Sequence, residues 1–305
     1  MRKPPILSKT RILESDLSEG IRTVWRYWRE YSHPLLVLWK VRRGMFPINV
    51  VLKRDKRPSI LNNKADAYLH SIGFHSFESP GSIMKFRYHS HDVFLKGYEA
   101  NGDIHSIFVK GEYMELAVNG KIVIDVGANL GDSSIFFALQ GAKKVLAIEP
   151  IPQSYSLAVE NVKLNGLCDV VHVLNASCND RDTELSIDDT LTAGTYSKVI
   201  LKDSGKKIPA VTIETLSNLF SKGQLVLKMD CEGCEYRSLL NSKEEVLKKF
   251  GAICIEYHDD PDILVRHLMR IGFSVKLSPG RFHFLRSLKK WIFIGKILAI
   301  QERNV

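Results

Sequence analysis

The 305-residue sequence is poor in cysteine, contains no long apolar run and has no G-x-G-x-x-G loop. Its five cysteines, Cys168, Cys178, Cys231, Cys234 and Cys254, are too few in a chain of this length to form a disulfide framework. No segment reaches the roughly 18–20 consecutive apolar residues that cross a bilayer; residues 34–41 and 291–300 are short and carry Lys40 and Lys296. Met1-Arg2-Lys3-Pro4-Pro5 lacks the apolar core of a secretory signal, so a cytoplasmic location is expected. Neither an internal repeat nor a low-complexity tract is present. Hydrophobic residues make up 45% and charged residues 25%, the balance of a globular protein with room for one large or two modest domains.

In place of a dinucleotide loop stands the segment Val123-Ile124-Asp125-Val126-Gly127-Ala128-Asn129-Leu130-Gly131-Asp132-Ser133, which reads as strand, loop and helix start. Gly127 and Gly131 let the backbone turn tightly and approach a ligand. Glu149 closes the next apolar strand, where a carboxylate can take both hydroxyls of a ribose. A dinucleotide site leaves its helix N-terminus open to a pyrophosphate. Here the spacing is G-x-x-x-G, and Asp132, directly after Gly131, would repel a phosphate. S-adenosylmethionine carries no phosphate, and its sulfonium and ammonium suit Asp125 and Asp132 by charge. Asp132 is also placed to cap the helix expected over 133–139.

The net charge of +9 is unevenly spread. Residues 1–57 hold 14 Lys and Arg against 5 Asp and Glu, and residues 281–305 hold 6 against 1, so the stretch between them is mildly acidic. Basic ends suggest peripheral contact with an anionic surface such as phospholipid headgroups, with nucleic acid the less favoured partner. Within 21–31, Trp25, Trp28 and Tyr31 recur every three residues with Arg22, Arg26 and Arg29 interleaved. That spacing predicts a helix packing its aromatic stripe onto its own domain while the arginines reach water.

Between 45 and 110, short β-branched and aromatic runs (48–52, 85–88, 93–95, 104–109) predict a small cap, with Asn101-Gly102 as a hairpin turn. Beyond 111, strands and helices alternate in the manner of a parallel sheet. Strands are expected near 122–125, 145–149, 170–175, 225–229, 252–257, 273–277 and 296–301, and helices near 133–139, 153–164, 213–220, 236–250 and 261–271. Short strands at 183–187, 197–201 and 208–211 make an excursion whose polar loop, 188–196, is expected to border the substrate. The domains are accordingly placed at 1–110, a basic helix and small α+β cap, and 111–305, the catalytic core.

The loop Asp125-Val126-Gly127-Ala128-Asn129, the pair Glu149-Pro150 and above all Leu227-Lys228-Met229-Asp230-Cys231-Glu232-Gly233-Cys234-Glu235 resemble the FkbM-type methyltransferases, whose signature reads K-I-D-V-E-G-x-E. The resemblance covers about residues 111–301. It implies an α/β, Rossmann-like class I methyltransferase core: a seven-stranded, mainly parallel sheet with an antiparallel last strand. It also implies S-adenosylmethionine as cofactor and a hydroxyl of a sugar or glycolipid headgroup as acceptor. Cys231 and Cys234 depart from the small apolar residues usual in the family, and are expected to change packing more than chemistry. Their C-x-x-C spacing has no second ligand pair to make a zinc site.

In such a sheet, ligands gather at the carboxyl ends of the strands. Donor binding is therefore expected from Asp125, Gly127, Ala128, Asn129, Gly131, Asp132, Glu149, Asn175 and Ala176. Asp230 is expected to position the donor's amino group or the acceptor, Glu232 or His258 to take the acceptor's proton, and Glu256 to contact substrate. No local ligand motif demands a metal. Two other readings follow from the same residues: a nucleic-acid methyltransferase, and a non-catalytic nucleoside-binding module.

Overall fold

The computed structural model describes residues 21–74, 77–79, 83–100, 103–187, 205–221, 223–285 and 290–301. It forms two compact units, Met1–Phe86 and Arg87–Val305. The hairpin at Asn101-Gly102, the strand at 197–201 and the loop at 188–196 lie outside the described residues.

The first unit holds α1 (residues 21–30), α2 (Pro34–Arg43), the hairpin β1 (Ile48–Val51) and β2 (Pro58–Leu61), α3 (Lys64–Ser71) and β3 (Phe77–Glu78). Alternation in β1 turns Ile48 and Val50 inward, where they meet Tyr27 and Tyr31 of the α1 segment and Val37 and Leu38 of α2. The aromatic stripe is therefore offset from expectation. Tyr27 and Tyr31, four apart, face the core, while Trp25 and Trp28 face solvent.

Strand β4 (Ile83–Tyr88) carries the chain into the second unit. There follow β5 (His91–Lys96), α4 (Ile104–Phe108), β6 (Ile122–Val126), α5 (Asp132–Leu139), β7 (Lys144–Ile148), α6 (Pro152–Leu164) and β8 (Val171–Leu174). A small sheet of β9 (Ser177–Cys178), β10 (Thr183–Ile187) and β11 (Lys206–Val211) leads to α7 (Ile213–Asn218). The chain closes with β12 (Leu225–Met229), α8 (Cys234–Leu240), α9 (Glu244–Leu247), β13 (Phe250–Tyr257), α10 (Asp262–Arg270), β14 (Phe273–Leu285) and β15 (Lys290–Gln301).

The main sheet runs β14-β15-β13-β12-β6-β7-β8. Neighbours pair parallel from β13 to β8, whereas β15 inserts antiparallel between β13 and β14. This is the Rossmann-like class I arrangement expected. Every residue of β6 and β12 is buried, as a sheet covered on both faces requires. The chain order reverses at β6, with β7 on one side and β12 on the other, so a crevice opens beyond their carboxyl ends. Register brings the two ends level: Val126 lies opposite Met229, and the Asp230 N–H donates to the Val126 carbonyl at 3.0 Å.

Three local expectations differ. Residues 104–108 are helical rather than extended, because Ile104, Ile107 and Phe108 recur at helical spacing and bury one face. The helix expected over 236–250 breaks at Asn241-Ser242 into α8 and α9. Residues 87–110, expected in the cap, belong with the second unit: the Phe94 and Lys96 N–H groups donate to the side chains of Asn165, which caps α6, and Asn161, within it, at 2.9 and 2.7 Å.

Candidate active site

The β6 loop is shaped by a missing side chain. Gly127 has φ +80°, and a Cβ there would strike the backbone carbonyl oxygen of Asp230. Only glycine lets the loops after β6 and β12 leave the sheet together. The Gly127 and Ala128 N–H groups donate to the Ile148 carbonyl, tying the loop to β7. Asn129, in the left-handed region that asparagine tolerates, turns its N–H onto Glu149 Oε2 at 2.9 Å, and the Ile151 N–H donates to Oε1 at 2.8 Å. Burial pushes the Glu149 carboxyl up to about 7 even though these two N–H groups favour its ionised form. Gly131, not Asp132, occupies the cap position of α5; Asp132 is the first helical residue, where the helix dipole favours a carboxylate.

Asp125 and Lys228 form a pair inside the sheet, Oδ1 to Nζ 3.0 Å, both essentially without solvent exposure. Ser133 and Ser134 each donate to Asp125 Oδ2 at 2.6 Å, and Lys228 Nζ also donates to the Gly127 carbonyl at 2.8 Å. Burial alone would depress the lysine, but Asp125 and Asp230 outweigh it and hold the ammonium above its usual range. Asp125, expected beside the donor, is instead consumed in this pair and fixes the loop from beneath.

After β12 the chain makes a tight turn. Cys231 and Cys234 are joined by a disulfide, a correction to their expected role as packing residues. Glu232 sits at φ +58°, uncommon for a residue with a side chain, and Gly233 at +121°. Glu235 stitches the turn from within, its two carboxylate oxygens accepting from the Cys231 and Gly233 N–H groups at 2.9 and 2.8 Å. His258, just past β13, completes the cluster. Its Nε2 lies 3.5 Å from Glu232, 3.7 Å from Glu256 and 3.9 Å from Asp230, and its Nδ1 is 3.2 Å from Glu235. Burial opposes charge on this ring, yet Glu235, Glu232 and Asp230 outweigh it and raise the imidazole to about 9. Burial and the neighbouring Asp230 and Glu112 charges push Glu256 well above the usual carboxylate range. Asp230 is raised as well, by burial, although Lys228 and His258 pull it down. Asp230, Glu235 and His258 bring potential metal-ligand atoms within 4.8 Å of one another. With both Glu235 oxygens already accepting N–H groups, an imidazolium supplies the positive charge this cluster requires.

Three clefts border the cluster. A narrow one of about 70 Å³ is lined by Gly127, Asn129, Asp132, Glu149, Asp230 and Glu232 among others, and shares Gly127, Pro150, Cys231 and Glu232 with a neighbouring space of about 310 Å³. A third cleft, about 480 Å³, is lined by Glu112, Glu115, Glu256, Lys276 and Lys296 and meets the narrow one at Asp103 and Tyr113. Sequence reasoning missed Asp103 because it assigned that stretch to the cap, where an Asp directly before an apolar run was the available helix-start signal, and missed Tyr113 because it lies ahead of the first core strand with no motif around it. Of the expected donor residues, Gly127, Asn129, Asp132 and Glu149 line the narrow cleft, whereas Asp125, Ala128, Gly131, Asn175 and Ala176 do not. Ala128 and Ala176 are buried, Gly131 packs close to Ala158 of α6, and the Asn175 amide donates to the Glu149 and Pro150 carbonyls, bracing the end of β7. A carboxylate-lined cleft with its cationic Lys228 already paired fits a positively charged donor, and the absent Gly127 side chain leaves backbone open to it.

The family model described as Methyltransferase FkbM domain matches residues 125–278. A probable protein arginine N-methyltransferase 6 of Arabidopsis thaliana is 41% identical over 71 residues, 23% of this chain and 16% of that protein. Ribosomal protein L11 methyltransferase of Anoxybacillus flavithermus is 39% identical over 83 residues, 27% of this chain and 26% of that protein. The chain thus spans about a sixth of the first relative and a quarter of the second. Among solved structures, a putative RNA methyltransferase from Pyrococcus horikoshii is similar with TM-score 0.39 and 14% identity, covering 66% of this chain and 86% of that one. Methanocaldococcus jannaschii Trm5 in complex with adenosine gives TM-score 0.40 and 13% identity over 82% of this chain and 60% of that one. At such scores neither structure bears on activity. The matched span runs from the strand-end carboxylate Asp125 into β14 and takes in half of the chain, and the protein belongs to the FkbM family of S-adenosylmethionine-dependent methyltransferases.

Proposed function

We propose that the chain methylates a hydroxyl of a sugar or glycolipid headgroup. The observation that supports this reading best is that Asp230 and Glu232 of the narrow cleft and Glu256 of the third cleft converge on His258. When bound, S-adenosylmethionine supplies a methyl group on a sulfonium that is already a good leaving group. The protein then has to hold acceptor and donor in line and remove the acceptor's proton. A hydroxyl, with its high pKa, needs that second service most. His258, raised to about 9, is an imidazolium at neutral pH and so does not take the proton. Its charge favours the ionised form of the carboxylates around it, and Glu232 is the proton acceptor. Glu256, whose carboxyl burial pushes upward, orients the acceptor oxygen, and Asp230 positions the donor's ammonium.

Supplying radiolabelled S-adenosylmethionine with free sugars, glycolipids, RNA and protein separates the readings. Label in a base-stable methyl ether of a sugar is the expected result; label confined to RNA or to protein amines would refute it. Glu232→Gln should lower kcat about a hundredfold with little change in S-adenosylhomocysteine affinity. Unchanged turnover would remove Glu232 from the reaction.

Glu149 carries a pH dependence. Ribose hydroxyls donate to its ionised form, so ligand binding releases a proton wherever the free protein holds one. With a carboxyl at about 7, affinity for S-adenosylhomocysteine should fall roughly tenfold from pH 8 to pH 6. Calorimetric titration of Glu149→Gln should show weaker binding and a flat profile; a retained slope would assign the proton to another group.

A further inference from the structure

Beyond methyl transfer, the first unit carries a surface that its own fold does not use. Trp25, Trp28, Leu35, Leu36 and Trp39 are each about half exposed or more (59%, 54%, 63%, 51% and 49%), and Ile21 is 66% exposed. Large side chains of this kind are normally buried, and solvent-facing clusters of them mark interaction sites. They are not core residues caught at an edge. The inner faces of α1 and α2 already supply Tyr27, Tyr31, Val37 and Leu38 to the core with β1 and β2, so folding leaves the opposite faces unclaimed.

Charge tells which partner fits. Residues 21–54 contain eight Lys and Arg and a single carboxylate, Glu30, which is buried. The last turn of α2 alone holds Lys40, Arg42 and Arg43, with no acidic residue in its first turn. Each exposed indole has a cation over its ring: Arg29 at 4.9 Å from Trp25, Lys53 at 5.5 Å from Trp28 and Arg43 at 5.7 Å from Trp39. An indole with a cation beside it suits the headgroup level of a bilayer, where the ring enters the acyl boundary and the charge meets phosphate. Leu35, Leu36 and Ile21 favour lipid over nucleic acid, because aliphatic side chains neither stack on bases nor pair with phosphates.

We propose that residues 21–45 dock the protein on an anionic phospholipid surface, with Trp25, Trp28, Trp39 and the Leu35-Leu36 pair entering the interface and the neighbouring Arg and Lys facing the phosphates. Contact of this kind lies on the membrane and does not span it; no helix among the described residues is long and apolar enough to cross one.

The test is sedimentation of the full chain with vesicles of phosphatidylcholine alone and of phosphatidylcholine mixed with phosphatidylserine. The wild-type protein should pellet with the mixed vesicles, bind the neutral ones far more weakly and be released by salt. Trp25→Ala with Trp39→Ala should weaken binding about tenfold or more. Arg42→Gln with Arg43→Gln should cost roughly fivefold for each charge removed, on the mixed vesicles only. All four positions are exposed, and unchanged S-adenosylhomocysteine binding by the variants confirms that the second unit is intact. Wild-type protein that stays in the supernatant with both vesicles would overturn the proposal. So would variants that bind as well as wild type, or binding to a single-stranded RNA with none to vesicles. Methyl transfer to a soluble sugar is untouched by any of these results, so the two readings fail separately.

Discussion

Replacing Lys228 by Met should destabilise the second unit by about 3–5 kcal/mol, the range seen when one partner of a buried ion pair is removed. The lysine cannot be traded for a neutral chain of similar length, because Asp125 would lose its ion-pair partner at a site with no solvent exposure. The two serine hydroxyls on its Oδ2 would then be the remaining side-chain compensation among the described contacts. A loss of that size is a large fraction of the roughly 5–15 kcal/mol that stabilises a typical folded protein. Thermal and denaturant unfolding would measure it. Combining Lys228→Met with Asp125→Asn should restore part of the loss, because a neutral amide can still bond the serines; a double variant no better than the single one would show that the ammonium matters through the Gly127 carbonyl instead.

Gly127→Ala should do comparable harm by a different route. A left-handed backbone costs an alanine about 1–2 kcal/mol by itself. At this position the added carbon also meets the Asp230 carbonyl, which is main chain and has no rotamer to yield. Relief requires the loops after β6 and β12 to part, and that would separate the groups that line the narrow cleft. A total cost of roughly 3 kcal/mol or more is expected, with S-adenosylhomocysteine affinity reduced by more than about a hundredfold. Calorimetry and melting together decide it. An alanine variant that binds normally would mean that Gly127 serves chain flexibility alone.

Much of this site was legible in the sequence because its parts are local. Gly127, Asn129, Asp132 and Glu149 follow from strand ends and turn residues a few positions apart, and the signature from Leu227 to Glu235 marks the facing loop. What sequence could not convey is pairing across the sheet. Asp125 and Lys228 stand 103 residues apart, each within an apolar run, and nothing in either run announces that their charges cancel. Asp125 therefore looked available to a donor. The surroundings of His258 depended equally on three dimensions: two carboxylates from the turn after β12 and one each from α8 and β13 gather around its ring. Residues 104–109 were misread because Ile, Phe and Val suit strand and buried helix alike over so short a span. The aromatic helix was misread by one residue's rotation, since Trp25, Trp28 and Tyr31 and the observed pair Tyr27 and Tyr31 share a member.

The third cleft draws its walls from widely separated parts of the chain. Asp103, Glu112 and Tyr113 come before the segment common to the family, and Ile294, Gly295, Lys296 and Leu298 come after it, while the donor-side groups from Gly127 to Glu232 lie inside it. Asp103 and Tyr113 stand in both linings, so a substitution at either is felt on both sides at once.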